Sequence, residues 1–115
     1  MSEIKELTKK VKKFQDERDW RQFHNHKDVA ISLALEAAEV LEHFQWKSPD
    51  EVNAHAEYSK EELADELADV AMYLFELADN LGIDLPRAIE AKIKKNAEKY
   101  PIEKSKGRHT KYNKL

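Results

Sequence analysis

The chain has 115 residues, with 20 Lys plus Arg against 23 Asp plus Glu, a formal charge of -3, 41% hydrophobic and 37% charged residues. Zero Cys excludes a disulfide scaffold and every thiolate metal site, and two Gly exclude Gly-rich phosphate loops and a turn-rich β fold. The near-neutral balance gives no overall basic footprint for nucleic acid, no apolar run approaches a membrane span and no leader segment is read, so a soluble, mostly helical protein of the cytoplasm is expected.

Four helices are predicted. The first runs from about Ser2, its N-cap, to Asp19, with Ile4, Leu7, Val11 and Phe14 as one apolar stripe. Residues 19–27 form a connection carrying Trp20, Phe23, His24 and His26. The second helix runs from about Lys27 to Trp46, with Asp28 as a possible cap, and a polar link follows to Tyr58. The third begins at Ser59, where Ser-Lys-Glu-Glu reads as a capping box with Glu62, and ends near Asn80 with Gly82 as terminator. The fourth opens at Asp84-Leu85-Pro86 and stops before Pro101. The very short link between these last two predicts antiparallel neighbours. Residues 1–102 are read as one all-α domain and 103–115 as a basic tail, with Lys104, Lys106, Arg108, Lys111 and Lys114 against Glu103. That tail is expected to be disordered unless a negative partner or a second subunit orders it.

The acids are not spread evenly. From Val29 to Leu41 only Ser32, Glu36 and Glu39 are polar, at i, i+4 and i+7, inside an apolar arc so wide that the acidic stripe faces other protein. In the third helix Glu62, Glu66, Asp69 and Tyr73 fall at i, i+4, i+7 and i+11, beside a core stripe of Leu63, Leu67, Val70 and Leu74. Each helix therefore offers a pair three residues apart, Glu36 with Glu39 and Glu66 with Asp69, about 60° apart around the axis and one turn up, so each pair can converge. Four converging carboxylates repel one another unless some protonate or a cation is present. An all-oxygen set suits Mg²⁺ first and Mn²⁺ second, and Mg²⁺ ordinarily completes its shell with water and substrate phosphate, which implies phosphate chemistry. A di-iron carboxylate site needs Glu-x-x-His, and no His here has Glu three residues before it.

The fourth helix offers a complement. Lys92, Asn96 and Tyr100 lie at i, i+4 and i+8 on one face, where a Lys can neutralise phosphate charge and an Asn can serve a sugar or base. Trp20, Phe23 and Trp46 can stack on a base or simply pack, and His24 can donate to a base edge or phosphate.

These residues resemble the MazG-like, all-α nucleoside triphosphate pyrophosphohydrolases, dCTP pyrophosphatase type, over nearly the whole chain. The resemblance rests on Glu-Arg-Asp-Trp-Arg-Gln-Phe-His (17–24), Leu-Glu-Ala-Ala-Glu-Val-Leu-Glu-His-Phe-Gln-Trp-Lys (35–47), Glu-Leu-Ala-Asp-Val (66–70), Asp-Leu-Pro-Arg-Ala-Ile (84–89), then Lys92, Asn96, Lys99-Tyr100-Pro101 and the ending Lys-Tyr-x-x-Leu. It implies a four-helix bundle-like fold assembled as a homo-oligomer, dimer or tetramer, with the site completed by a neighbouring subunit. It implies hydrolysis of a (deoxy)nucleoside triphosphate to monophosphate and pyrophosphate, with Glu36, Glu39, Glu66 and Asp69 holding Mg²⁺ and Glu36 or Glu39 orienting the attacking water. Trp20, His24, Trp46 and Tyr73 match positions around base and sugar, and Lys92, Asn96 and Tyr100 match those for sugar and phosphate. The 47–58 linker is the chain's own and Asn25-His26-Lys27 need not match the pattern, which bears on base preference. A non-enzymatic helical module pairing its acidic stripes with basic partner helices is the alternative. Nucleic-acid binding through the tail is weaker, since it has one terminal basic segment to rest on.

Overall fold

The computed structural model describes residues 2–114, and among them all regular structure is helical. The chain divides into two units, Met1–Gly82 and Ile83–Leu115.

In the first unit α1 spans Glu3–Asp16, and Ser2 caps it by accepting the Lys5 N–H. The helix stops three residues before the predicted end. Asp19 takes a left-handed conformation (φ 53°), and the Trp20 N–H reaches back to the Gln15 carbonyl at 3.0 Å, closing the turn. Asp adopts that conformation more readily than most residues. The buried line of α1 is also rotated from the predicted stripe: Thr8, Val11 and Gln15 turn inwards, while Leu7 and Phe14 stay partly open. The two polar residues are admitted because both are bonded. The Thr8 hydroxyl donates to the Ile4 carbonyl at 2.7 Å, and the Gln15 amide meets a carboxylate on a distant helix.

A 3₁₀ turn over Arg21–Phe23 leads to α2, His26–Glu42. Its cap is Asn25 rather than Asp28: Asn25 Oδ1 accepts the Asp28 N–H at 2.9 Å, and its Nδ2 donates to the Asp28 carboxylate at 2.8 Å. α2 ends at Glu42, four residues short of the predicted Trp46, which has φ 68° in the turn that follows. The expected polar link is instead a helix, α3, over Pro49–Tyr58. Ser48 and Glu51 form a reciprocal capping box, at 3.3 and 3.1 Å, and Pro49 occupies the first turn. α4 spans Lys60–Asn80. The capping box predicted at Ser59 does not form. Ser59 closes α3 by donating its N–H to His55, and its backbone (φ -111°, ψ 26°) is not the extended one a cap requires. Gly82, at φ 70°, terminates α4 as expected.

The main packing pair is α2 with α4, and α1 and α3 also lie against α4. Val11, Val29, Leu63 and Ala78 are the buried apolar residues. Ile31, Leu35, Leu41 and Leu67 remain open on α2 and α4, so the wide apolar arc of α2 is not covered within the unit.

In the second unit Asp84 caps α5, Leu85–Lys99, by accepting the Arg87 N–H, with Pro86 in the first turn. Pro101 breaks the helix. The tail, expected to be disordered, forms a short α6 (Ile102–Ser105) and a 3₁₀ turn (Tyr112–Lys114). Tyr112 meets Tyr100 edge-on at 6.1 Å, with the Lys99 ammonium 4.7 Å from its ring centre. Among the described residues no helix is long and apolar enough to cross a membrane.

Candidate functional site

The α2–α4 pairing brings Glu36 within electrostatic reach of Glu66 and Asp69. Burial pushes the Glu36 carboxyl up from its ordinary range. Its hydrogen bond with Glu39 and the charges of Glu39, Asp69 and Glu66 add to the effect in that order. Glu36 Oε2 is buried with no hydrogen-bond partner. Glu66 Oε2 is buried too. It is in ion-pair contact with His43 Nε2, but the contact lacks hydrogen-bond alignment. Among the described residues no three His, Asp or Glu side chains are drawn together tightly enough to hold an ion as they stand. The donor chemistry nevertheless fits a hard divalent cation: the set is all carboxylate, mutually repelling at Glu36, and carries in Glu36 Oε2 a buried oxygen without a partner among the described residues.

Sequence reasoning missed His43 and His55. His43 Nδ1 lies 2.6 Å from His55 Nε2, so α3 supplies a ring that holds the ring touching Glu66. Phe44 packs edge-on against His55 at 6.1 Å. The signal for His43 was available, since it continues the Ser32, Glu36, Glu39 stripe at the next i+4. His55 had none, because its helix was not recognised.

A cavity of about 260 Å³ opens beside Asp69, lined by Phe14, Gln15, Trp20, His24, Asp69, Met72 and Tyr73. Three predicted substrate contacts, Trp20, His24 and Tyr73, thus come together, and one predicted metal ligand shares the space with them. The turn at Asp19 positions Trp20, whose ring stands edge-on to Phe14 at 5.6 Å, 79° between planes. The Arg18 guanidinium lies 3.8 Å from the centre of the Phe14 ring. Burial raises the Tyr73 phenol, helped by the charges of Glu36, Glu76 and Asp69, so it stays a neutral donor; a hydrogen bond from Ser32 works the other way.

Behind the cavity lies Glu76, fully buried and also missed. Gln15 Nε2 donates to its Oε1 at 2.8 Å, and His24 Nδ1 lies 2.7 Å from its Oε2. Glu76 extends the α4 stripe from Tyr73 by three residues, so spacing could have found it. Trp46 does not line this cavity and is 93% exposed, and Phe23 is exposed as well. Lys92, Asn96 and Tyr100 belong to the second unit, the first two on α5 and Tyr100 as its C-cap.

Residues 31–115 match the MazG-like family. The chain is 42% identical over 104 residues to dCTP pyrophosphatase 1 of Rattus norvegicus, covering 89% of this chain and 61% of that protein. Against dCTP pyrophosphatase 1 of Homo sapiens it is 36% identical over 104 residues, with the same coverage of 89% and 61%. The chain therefore spans about three-fifths of the length of these curated relatives. A crystal structure of a pyrophosphatase from Archaeoglobus fulgidus superposes with a TM-score of 0.82 at 39% identity, covering 88% of this chain and 94% of that one. With its all-α architecture, its paired carboxylates on α2 and α4 and a match across most of its length, the chain belongs to the MazG-like family.

Proposed function

We propose that the chain hydrolyses a (deoxy)nucleoside triphosphate, of the dCTP type, to the monophosphate and pyrophosphate, with Mg²⁺ as cofactor and Mn²⁺ as a substitute. One observation carries the reading: Asp69 is shared between an aromatic-lined cavity of nucleobase scale and a carboxylate cluster with an unsatisfied buried oxygen. Trp20 and Tyr73 offer the base and sugar their rings and a phenol. Glu36, Glu39, Glu66 and Asp69 would hold the cation, which when bound supplies charge neutralisation at the phosphates. Glu36 or Glu39 would accept a proton from the attacking water. Lys92, Asn96 and Tyr100 serve sugar and phosphate, and Trp46 serves the base. The work is that of nucleotide-pool house-cleaning in the cytoplasm.

The same reading includes a homo-oligomer, dimer or tetramer. The open Ile31, Leu35, Leu41 and Leu67 support it, because a second copy would cover an apolar surface that the chain itself leaves to water.

Incubation of the purified chain with each dNTP and Mg²⁺ tests the activity. The expected products are a dNMP and pyrophosphate, and Glu39→Ala should lower turnover by about 100-fold or more. Stepwise release of orthophosphate, or full activity of Glu39→Ala, would overturn it.

A further inference from the structure

We propose that Glu76 is a positioning residue for His24: it fixes the ring as its Nδ1–H tautomer, so that a nucleotide in the cavity meets Nε2 as a hydrogen-bond acceptor. The inference rests on the nucleotide reading of the cavity and concerns a buried group to which that reading gives no part.

Glu76 is an acid on α4 with no exposed surface. A carboxylate taken out of water is costly unless its oxygens are bonded. Both are, and to one short stretch of chain. Gln15 Nε2 donates to Oε1 at 2.8 Å, and His24 Nδ1 lies 2.7 Å from Oε2. The Gln15 backbone carbonyl in turn accepts the N–H groups of Arg18 and Trp20, at 3.2 and 3.0 Å. One carboxylate therefore holds the stretch 15–24 at both ends. Trp20 and His24, which that stretch carries, line the cavity.

At Gln15 the bond fixes where the end of α1 sits. At His24 it also decides where a proton sits. An imidazole in water favours the proton on Nε2, and a bonded partner at the other nitrogen can reverse that. A carboxylate beside Nδ1 can only accept, so Nδ1 carries the hydrogen of a neutral ring and Nε2 is left bare. Nδ1 is thus committed to a group that solvent does not reach. The His24 side chain is nonetheless 22% exposed and lines the cavity, so Nε2 is the ring nitrogen left for a ligand. A bare nitrogen takes a donor, which a nucleotide offers as a sugar hydroxyl or a base N–H. Glu76 touches no ligand in this scheme and acts through the ring it holds.

Long-range ¹H–¹⁵N correlation spectra of the ¹⁵N-labelled full chain at about pH 8, above the ordinary histidine range, read each ring nitrogen directly. His24→Gln assigns the His24 signals. The wild type should show a proton on Nδ1 and a bare Nε2. Glu76→Met should return the proton to Nε2 and weaken the tightest-binding of the four dNMPs by about tenfold in calorimetric titration. Glu76→Gln is the conservative control. Its carbonyl can accept from Nδ1 as the carboxylate did. Its N–H can meet Gln15 Oε1, which has no hydrogen-bond partner among the described residues, once that amide turns over. This variant should keep the tautomer and bind within about threefold of wild type, which a role of the Glu76 charge alone would not allow. The bound dNMP should move the Nε2 resonance. Loss of that shift with the 3′-deoxy analogue identifies the sugar hydroxyl as the donor, and its retention identifies a base N–H. A proton on Nε2 or on both nitrogens of the wild type, or a tautomer that survives Glu76→Met, would overturn the proposal whatever the activity. So would a bound dNMP that leaves Nε2 unmoved. Should Glu76→Met fail to fold, the wild-type tautomer, Glu76→Gln and the Nε2 shift decide. The expected tautomer and shift without pyrophosphate release from any dNTP would support the proposal and overturn the catalytic reading instead. Failure to bind any dNMP would overturn the nucleotide reading and the Nε2 contact together.

Discussion

On the proposed reading, Glu36 is where folding and cation binding would oppose each other. Its buried Oε2 has no partner, and three neighbouring carboxylates raise its affinity for a proton. A group whose folded-state affinity for protons exceeds its unfolded one contributes stability in acid and loses it as pH rises above its ordinary value of 4.5. Without metal, Glu36→Gln should therefore melt higher than the wild type at neutral pH, on the order of a few degrees, and the gap should widen as pH is raised. Added Mg²⁺ should raise the wild-type Tm and leave the variant almost unmoved. Differential scanning calorimetry between pH 4 and 8 checks both arms, and a variant less stable than wild type throughout would contradict the account.

The elements differ in how openly they announce themselves. α1, α2, α4 and α5 are legible in apolar spacing and in the Ser2, Asp84 and Gly82 end signals. α3 is not, because Val52 and two alanines are its main apolar residues. Its Ser48–Glu51 capping box was nonetheless written in the sequence. The backbone N–H of Ser48, then its hydroxyl and then the Lys47 charge hold the Glu51 carboxyl below its ordinary range. A lowered carboxyl contributes stability above 4.5 and loses it as pH falls through the folded value. Glu51→Ala should thus lower the Tm slightly at pH 7, with the two proteins converging in acid; a pH-independent difference in thermal melts would count against this cap. α3 also carries His55, which holds His43 against Glu66. His55→Ala should weaken Mn²⁺ binding about tenfold, read from the electron paramagnetic resonance signal of free Mn²⁺, whereas unchanged affinity would reduce α3 to packing alone. The carboxylate stripes could be read from spacing, and so could the continuations at His43 and Glu76. The burial of Gln15 could not, since a glutamine on an amphipathic helix reads as solvated and its partner lies 61 residues away.

At the scale of the molecule, the buried apolar set is small for the amount of apolar surface left open. Leu35 is 61% exposed, on the same helix as Glu36 and Glu39 and one turn before Glu39. Covering this surface with a second copy would form an interface of at least about 1,000 Å² if it is a stable one. The wild type should elute as a dimer or tetramer by light scattering, and Leu35→Glu should shift it towards monomer. A wild type that stays monomeric at about 100 µM would remove the oligomer from the proposal.

α4 carries Glu66, Asp69, Tyr73 and Glu76 along a single stripe. Ten residues of helix make a rigid ruler of about 15 Å, with Glu66 and Asp69 at one end and the buried Glu76, bonded to Gln15 and His24, at the other. The register between them is set by helical periodicity alone. One residue inserted after Asp69 would turn the far end by about 100°, leaving each end intact and the two no longer in line. Length along this helix is therefore under tighter constraint than composition: side chains on its open face can vary, but its residue count between Asp69 and Tyr73 cannot.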